Sequence, residues 1–189
     1  MLSAAILAGG QASRFGGLDK SALVVDGRTI FDRQIAELSK IADEILWIGG
    51  ATPRPGTRYV ADRTAGHGPL GGLHTALAEA RYEVTIVVAC DMPYVSAELL
   101  AHLAALADAA DAVVPRTERG YHPLCAAYTR AALGPVARRV AAGLLKMSDL
   151  MADVRLRVVT AEEISLFGDR HRLLANVNTP AEYDELSGR

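Results

Sequence analysis

Two cations stand out in the stretch Leu7-Ala-Gly-Gly-Gln-Ala-Ser-Arg-Phe-Gly-Gly-Leu-Asp-Lys20, namely Arg14 and Lys20, set among Gly9, Gly10, Gly16 and Gly17. Glycines, having no side chain, let backbone N–H groups close on an anion. Arg14 would add a planar fork of donors and Lys20 a point charge on a flexible stem. The chemistry on offer is the clamping of a polyphosphate; the alternative is a strand-to-helix loop with two solvated cations. Two common phosphate motifs do not fit. The Walker pattern needs Lys directly after its second Gly, whereas Leu18 and Asp19 separate Gly17 from Lys20. The adjacency of Gly9 and Gly10 breaks the dinucleotide pattern G-x-G-x-x-G.

Further candidates stand where predicted strands end. Asp91 directly follows Thr85-Ile-Val-Val-Ala-Cys90, the strongest strand signal in the chain. Its carboxylate is a hard oxygen ligand suited to Mg²⁺ beside a phosphate clamp, or else a cap for the helix that follows. Asp62 closes the short run Tyr59-Val60 and is read as a second cleft carboxylate or a turn residue. Asn176 and Asn178 are one residue apart in an extended segment, so their side chains point the same way. They could bind a metal, a phosphate or a polar ring, or stabilise the turn before Thr179. His122 precedes Pro123 and is therefore unsuited to a helix; it lines the cleft or is an ordinary loop histidine. His67, His74, His102 and His171 form no metal-ligand spacing, and Cys90 and Cys125 form no C-x-x-C pair.

Alternating elements must position these residues. Ala4-Ala5-Ile6-Leu7 reads as a buried strand, and Ala22 to Val25 as an apolar run closed by the turn Asp26-Gly27. Phe31, Ile35 and Leu38 recur with helical spacing. Glu44 to Ile48 reads as a strand, Ala51 to Thr57 as a Pro-rich loop, and Gly66 to Gly72 as a second glycine cluster ahead of a helix carrying Leu73, Leu77 and Ala80. The continuous apolar run 85–90 fits a central parallel strand covered on both faces. Ser96 is placed to cap a helix carrying Leu99, Leu103 and Leu106. Ala112 to Val114 is a strand, 116–120 a polar loop, and 123–128 a strand assigned to a sheet edge because Pro123 opens it. Helical segments are predicted over 130–142 and 147–151, and a strand over 154–159. Thr160 to Glu163 and Thr179 to Glu182 both match the capping box T-x-x-E, the second with Pro180 at its first helical position. This alternation predicts a three-layer α/β fold with a mostly parallel sheet, formed by residues 1–189 as one domain.

Composition narrows the classes. The net charge of −2 offers no basic footprint for nucleic acid. Apolar runs stay shorter than a membrane span, and no signal-peptide pattern precedes Leu7. A cytoplasmic protein is expected.

Five motifs in order carry a family resemblance: Leu7-Ala-Gly-Gly with Arg14, Gly16-Gly17 and Lys20; Asp62 with Gly68-Pro-Leu-Gly-Gly-Leu73; Cys90-Asp-Met-Pro93; His122-Pro-Leu124; and Asn176-Val-Asn-Thr-Pro180. Together they span nearly the whole chain, which resembles the molybdenum cofactor guanylyltransferases within the nucleotidyltransferase family. The resemblance implies a Rossmann-like nucleotidyltransferase fold and transfer of GMP from GTP-Mg²⁺ to the phosphate of molybdopterin. It implies that Leu7, Ala8, Gly9, Gly10, Lys20, Asp62 and Asp91 bind GTP, that Arg14, Lys20 and Asp91 serve the reaction, and that Asp91 is the Mg²⁺ ligand. His122 falls on the acceptor side, and Asn176 and Asn178 fall where the family places acceptor or metal contacts. A monomer is expected, with a molybdoenzyme-delivery protein as a further partner and no nucleic-acid or membrane partner. Phe15 departs from a common Met, and Gly49-Gly50 stands where some relatives carry Asn near the guanine. Leu144-Leu145-Lys146 stands where relatives are more polar and basic. A CTP-using or sugar-phosphate relative, or a nucleotide-binding module without catalysis, are the competing readings.

Overall fold

The structure is a computed structural model that describes residues 1–8, 19–63, 66–179 and 181–183. Gly9, Gly10, Arg14, Gly16, Gly17 and Pro180 lie outside the described residues.

In chain order the strands are β1 (Ser3–Leu7), β2 (Val24–Val25), β3 (Arg28–Thr29), β4 (Glu44–Ile48), β5 (Arg58–Val60), β6 (Val84–Ala89), β7 (Ala112–Thr117), β8 (Gly120–Tyr121), β9 (Cys125–Thr129) and β10 (Leu156–Val159). The α-helices are α1 (Ile30–Leu38), α2 (Gly68–Glu79), α3 (Ala97–Ala105), α4 (Leu133–Ala141), α5 (Ala161–Ser165) and α6 (Arg170–Leu173). The main sheet runs β10-β7-β9-β6-β1-β4-β5, with β8 paired to β7. β1 sits between β4 and β6 and is parallel to both. β5 is parallel to β4, and β10 to β7. The sheet is therefore mostly parallel, as the alternation predicts.

Strand burial on both faces follows from the side-chain period of two. Ala4, Ile6, Ile86 and Val88 enter one core with Phe31, Leu38 and Trp47, under α1, α3 and α5. Ala5, Leu7 and Val87 enter the other with Leu70, Leu73 and Val136, under α2 and α4. A Cβ on Gly72 would stand 3.3 Å from Leu7 Cδ1. Gly68, Gly71 and Gly72 of the glycine cluster thus lie inside the first turns of α2 rather than ahead of it, where small residues let the helix settle onto β1. A satellite core joins Val25, Ile30 and Val177, packed by Leu23, Tyr94 and Tyr183. It fastens the β2–β3 hairpin to the C-terminal segment. The hairpin turns at Asp26-Gly27, both at positive φ (50° and 77°), the conformation that favours Asp-Gly in tight hairpins.

Two expectations are corrected. β9 is not an edge strand: it lies between β6 and β7, antiparallel to both. Pro123 precedes the strand and so removes no ladder donor, while its carbonyl accepts the Tyr128 hydroxyl at 2.8 Å. Nor is 116–120 simply a loop, because β7 runs on to Thr117 and folds back through β8.

Candidate active site

The carboxyl ends of β1, β4, β5, β6 and β7 share one edge of the sheet, where open parallel sheets collect ligands. Asp91 stands there, one residue past Cys90 and nine-tenths buried. Its direction is fixed from beneath by α1. Gln34 Nε2 donates to the carbonyls of Ala89 (2.7 Å) and Met92 (3.0 Å), and Arg33 Nε donates to Pro93 O at 2.8 Å. Gln34 is fully buried on the otherwise apolar face of α1 that carries Phe31 and Leu38. A lone amide at that position is the signal by which it could have been found from sequence. The reading of Asp91 as a helix cap is corrected: Ser96 caps α3, its hydroxyl accepting from Leu99 N at 3.4 Å.

Asp91 gathers distant parts of the chain. Lys20 Nζ lies 3.1 Å from Asp91 Oδ2 and 3.2 Å from Asn178 Oδ1. Asn176 Nδ2 donates to Asp91 Oδ1 at 2.9 Å, and Val177 N donates to Asp91 O at 2.9 Å. The two asparagines thus reach one carboxylate and one ammonium, while Val177 between them turns into the satellite core. Glu182 holds this segment, accepting from the backbone of Asn178 (2.6 Å) and Thr179 (3.0 Å) while Thr179 Oγ1 accepts from Glu182 N. Both halves of the Thr179 capping box are therefore formed.

Lys20 opens a short 3₁₀ turn, Lys20–Ala22, capped by Asp19, whose Oδ1 accepts from Ser21 N and Ser21 Oγ. Burial raises the Asp19 carboxyl's affinity for a proton, but the Ser21 bonds and the Arg54 guanidinium outweigh it and leave the pKa below its ordinary value. Leu7 is buried, its carbonyl accepting from Cys90 N, and Ala8 N donates to Ile48 O. These bonds carry β1 to the same edge as Asp91.

Asp62 follows β5, three strand positions from β6 in the order β6-β1-β4-β5. At the usual strand spacing that is about 14 Å along the edge. Its Oδ1 accepts from Thr75 Oγ1 of α2 at 3.0 Å. On the other flank, His122 sits where β8 gives way to β9, with Nε2 2.8 Å from Thr117 Oγ1. Burial, then the nearby charge of Arg119, lowers its pKa, against an opposing pull from Glu118. The Cys90 and Cys125 thiols are both pushed up to about 12 by burial, which removes them as nucleophiles at neutral pH. Among the described residues no group of three or more His, Cys, Asp or Glu converges as a metal cage. No helix among them is long and apolar enough to cross a membrane.

A carboxylate, an ammonium and two amides thus meet at a strand-end edge. The family model described as the MobA-like NTP transferase domain matches residues 4–158. The chain belongs to that family. This transferase is 34% identical over 181 residues to a probable molybdenum cofactor guanylyltransferase of Pelotomaculum thermopropionicum, covering 94% of this chain and 87% of the relative. It superposes with a TM-score of 0.84 on the molybdopterin-guanine dinucleotide biosynthesis protein A of Archaeoglobus fulgidus, at 22% identity over 98% of this chain and 97% of that one. The 2-C-methyl-D-erythritol 4-phosphate cytidylyltransferase of Thermus thermophilus shares the fold with a TM-score of 0.70, at 16% identity over 97% of this chain and 96% of that one. This transferase is accordingly a nucleotidyltransferase.

Proposed function

We propose that the protein transfers GMP from GTP to the phosphate of molybdopterin, giving molybdopterin guanine dinucleotide and pyrophosphate. One observation carries the reading of the site: Lys20, Asp91 and the Asn176–Asn178 segment meet at the ligand-collecting edge of the sheet. The curated relatives' name supports the choice of nucleotide and acceptor.

The chemistry asks little of a general base. A phosphate monoester is already largely ionised near neutral pH, so the difficulty is bringing one anion against another. Positioning and charge neutralisation dominate such reactions. Lys20, on its flexible stem, can turn from Asp91 to the phosphates and follow the charge as pyrophosphate leaves. Arg14 and the backbone of Leu7, Ala8, Gly9 and Gly10 would complete the phosphate grip. Asp62 would hold the nucleotide's far end, and His122, Asn176 and Asn178 would face the acceptor.

A divalent cation fits these residues. Asp91 Oδ2 and Asn178 Oδ1 already converge on one cationic centre, the Lys20 ammonium. Mg²⁺ commonly takes one or two carboxylates together with substrate phosphates and water. Asp91 and Asn178 would hold Mg²⁺, which when bound supplies positive charge at the α-phosphate. The reading extends to a single-domain monomer acting in the cytoplasm and passing its product to a delivery protein.

The test incubates the enzyme with Mg²⁺, molybdopterin and each nucleoside triphosphate in turn, and weighs the pterin product. A GMP adduct from GTP is expected; a CMP adduct, or none with any nucleotide, would overturn the assignment.

A further inference from the structure

Arg54 belongs to the Pro-rich segment between β4 and β5, which no motif of the sequence singles out. Its guanidinium reaches the turn that carries Lys20. There Nη2 donates to Asp19 Oδ2 and stands 3.2 Å from Ser21 Oγ. Asp19 and Ser21 are the two neighbours of Lys20. The guanidinium carbon lies 5.3 Å from the Phe31 ring centre and 5.7 Å from that of Trp47, within reach of a cation–π attraction.

The segment is built to hold Arg54 there. Trp47 Nε1 donates to Thr52 O at 3.0 Å, and Thr57 Oγ1 donates to Arg54 O at 2.8 Å. Gly50 makes room for the indole, since a Cβ on Gly50 would stand 2.0 Å from Trp47 Nε1. Trp47 is itself fully buried and edge-on to Phe31, their centres 5.4 Å apart. Gly50 thus has a packing cause in this chain, and Gly49 before it stands at a φ of 71°.

We propose that Arg54 is a positioning residue: through Asp19 it sets the Lys20 turn and so aims the ammonium at the transferring phosphates. The proposal rests on Lys20 acting on those phosphates. Charge alone is not enough for this task. One guanidinium nitrogen, Nη2, reaches both Asp19 and Ser21 while the guanidinium carbon stands over the Phe31 and Trp47 rings, and a planar, delocalised cation keeps this aromatic packing better than a lysine ammonium does.

Arg54→Gln, Arg54→Lys, Asp19→Asn and Lys20→Ala, with the double variant Arg54→Gln/Lys20→Ala, test it by steady-state kinetics and thermal melting. Asp19→Asn keeps a good helix-capping side chain but loses the anion that Arg54 grips. Arg54→Gln and Asp19→Asn are expected to lower kcat about tenfold with KM for GTP changed less than about threefold, since small misplacements of reacting groups are costly. Arg54→Lys should recover only part of the loss. In the Lys20→Ala background Arg54→Gln should lower kcat no further. A role confined to stability would instead lower the melting temperature in both backgrounds and leave kcat per folded molecule unchanged, which would overturn the proposal. So would kcat within twofold of wild type in Arg54→Gln while Lys20→Ala is impaired, or losses that multiply in the double variant. Wild-type kcat in Lys20→Ala would overturn the reading of Lys20 itself and remove the proposal's premise.

Discussion

Asp91 and Asp62 look alike in the sequence, each an aspartate just past an apolar run, yet they occupy different kinds of place. Asp91 follows a central strand flanked by β1 and β9, and its carboxylate joins residues 20, 176 and 91, which lie far apart in the chain. Asp62 follows the edge strand β5, and its carboxylate accepts from the hydroxyl of Thr75 on α2, only thirteen residues on. A strand-end position is therefore common to both, and at Asp91 a cation and a segment from the far end of the chain converge on the carboxylate. The lesson is that position selects candidates, and convergence of distant segments ranks them.

The largest expected effect lies at Asp91. Asp91→Asn keeps the shape and an oxygen for Asn176 but loses the negative charge opposite Lys20. It should remain folded by circular dichroism and lose about 10²- to 10³-fold in kcat, the scale of removing one preorganised electrostatic partner. If kcat falls no further than in Asp62→Asn, the ranking of the two aspartates is wrong.

Asp62→Ala should act on binding rather than turnover, raising KM for GTP about tenfold with kcat nearly unchanged, as loss of uniform binding does. A kcat loss equal to that of Asp91→Asn in a folded protein would erase the contrast. Thr75→Val sharpens it from the structural side. Thr75 is fully buried, its hydroxyl donating to Asp62 and accepting from Arg63 N at 3.3 Å. Removing that hydroxyl should cost about 1–2 kcal/mol of stability in urea melts, with a smaller change in KM than Asp62→Ala.

The smallest effect concerns the other flank. Because burial lowers the His122 pKa, the unfolded chain binds a proton at this residue more readily than the folded one. The resulting stability is fully present above the ordinary histidine pKa and is lost as pH falls from there toward the folded value. His122→Gln should flatten the slope of stability against pH between about pH 5 and 6.5, near the unperturbed histidine pKa. An unchanged slope would show that His122 is not a buried neutral base.

Much of the architecture was legible because burial on both faces leaves a plain signature. The runs 4–7 and 86–90 are apolar without interruption, and both belong to parallel strands at the sheet centre. The Asn176–Asn178 pair was legible for a similar reason: a period of two puts both amides on one side, and the structure turns both toward Asp91 and Lys20. β9 was misplaced because Pro123 carries information about one residue's missing donor and none about which strands flank the next five. Gln34 shows in the sequence only as a lone amide on the apolar face of α1 and Arg54 not at all, because their partners, the 89–92 turn and Asp19, are set by the packing of α1 and of Trp47. Pairings across 55 and 35 residues leave no local spacing to read.

On the proposed reading, Asp91 and Asn178, whose oxygens now face the Lys20 ammonium, would hold a divalent cation beside the nucleotide. Turnover measured across a Mg²⁺ titration for wild type and Asp91→Asn tests it most directly, with circular dichroism to establish that both are folded. A saturable Mg²⁺ dependence is expected in the wild type, and a low rate in Asp91→Asn that added Mg²⁺ does not restore. Wild-type turnover by folded Asp91→Asn at low Mg²⁺ would contradict it.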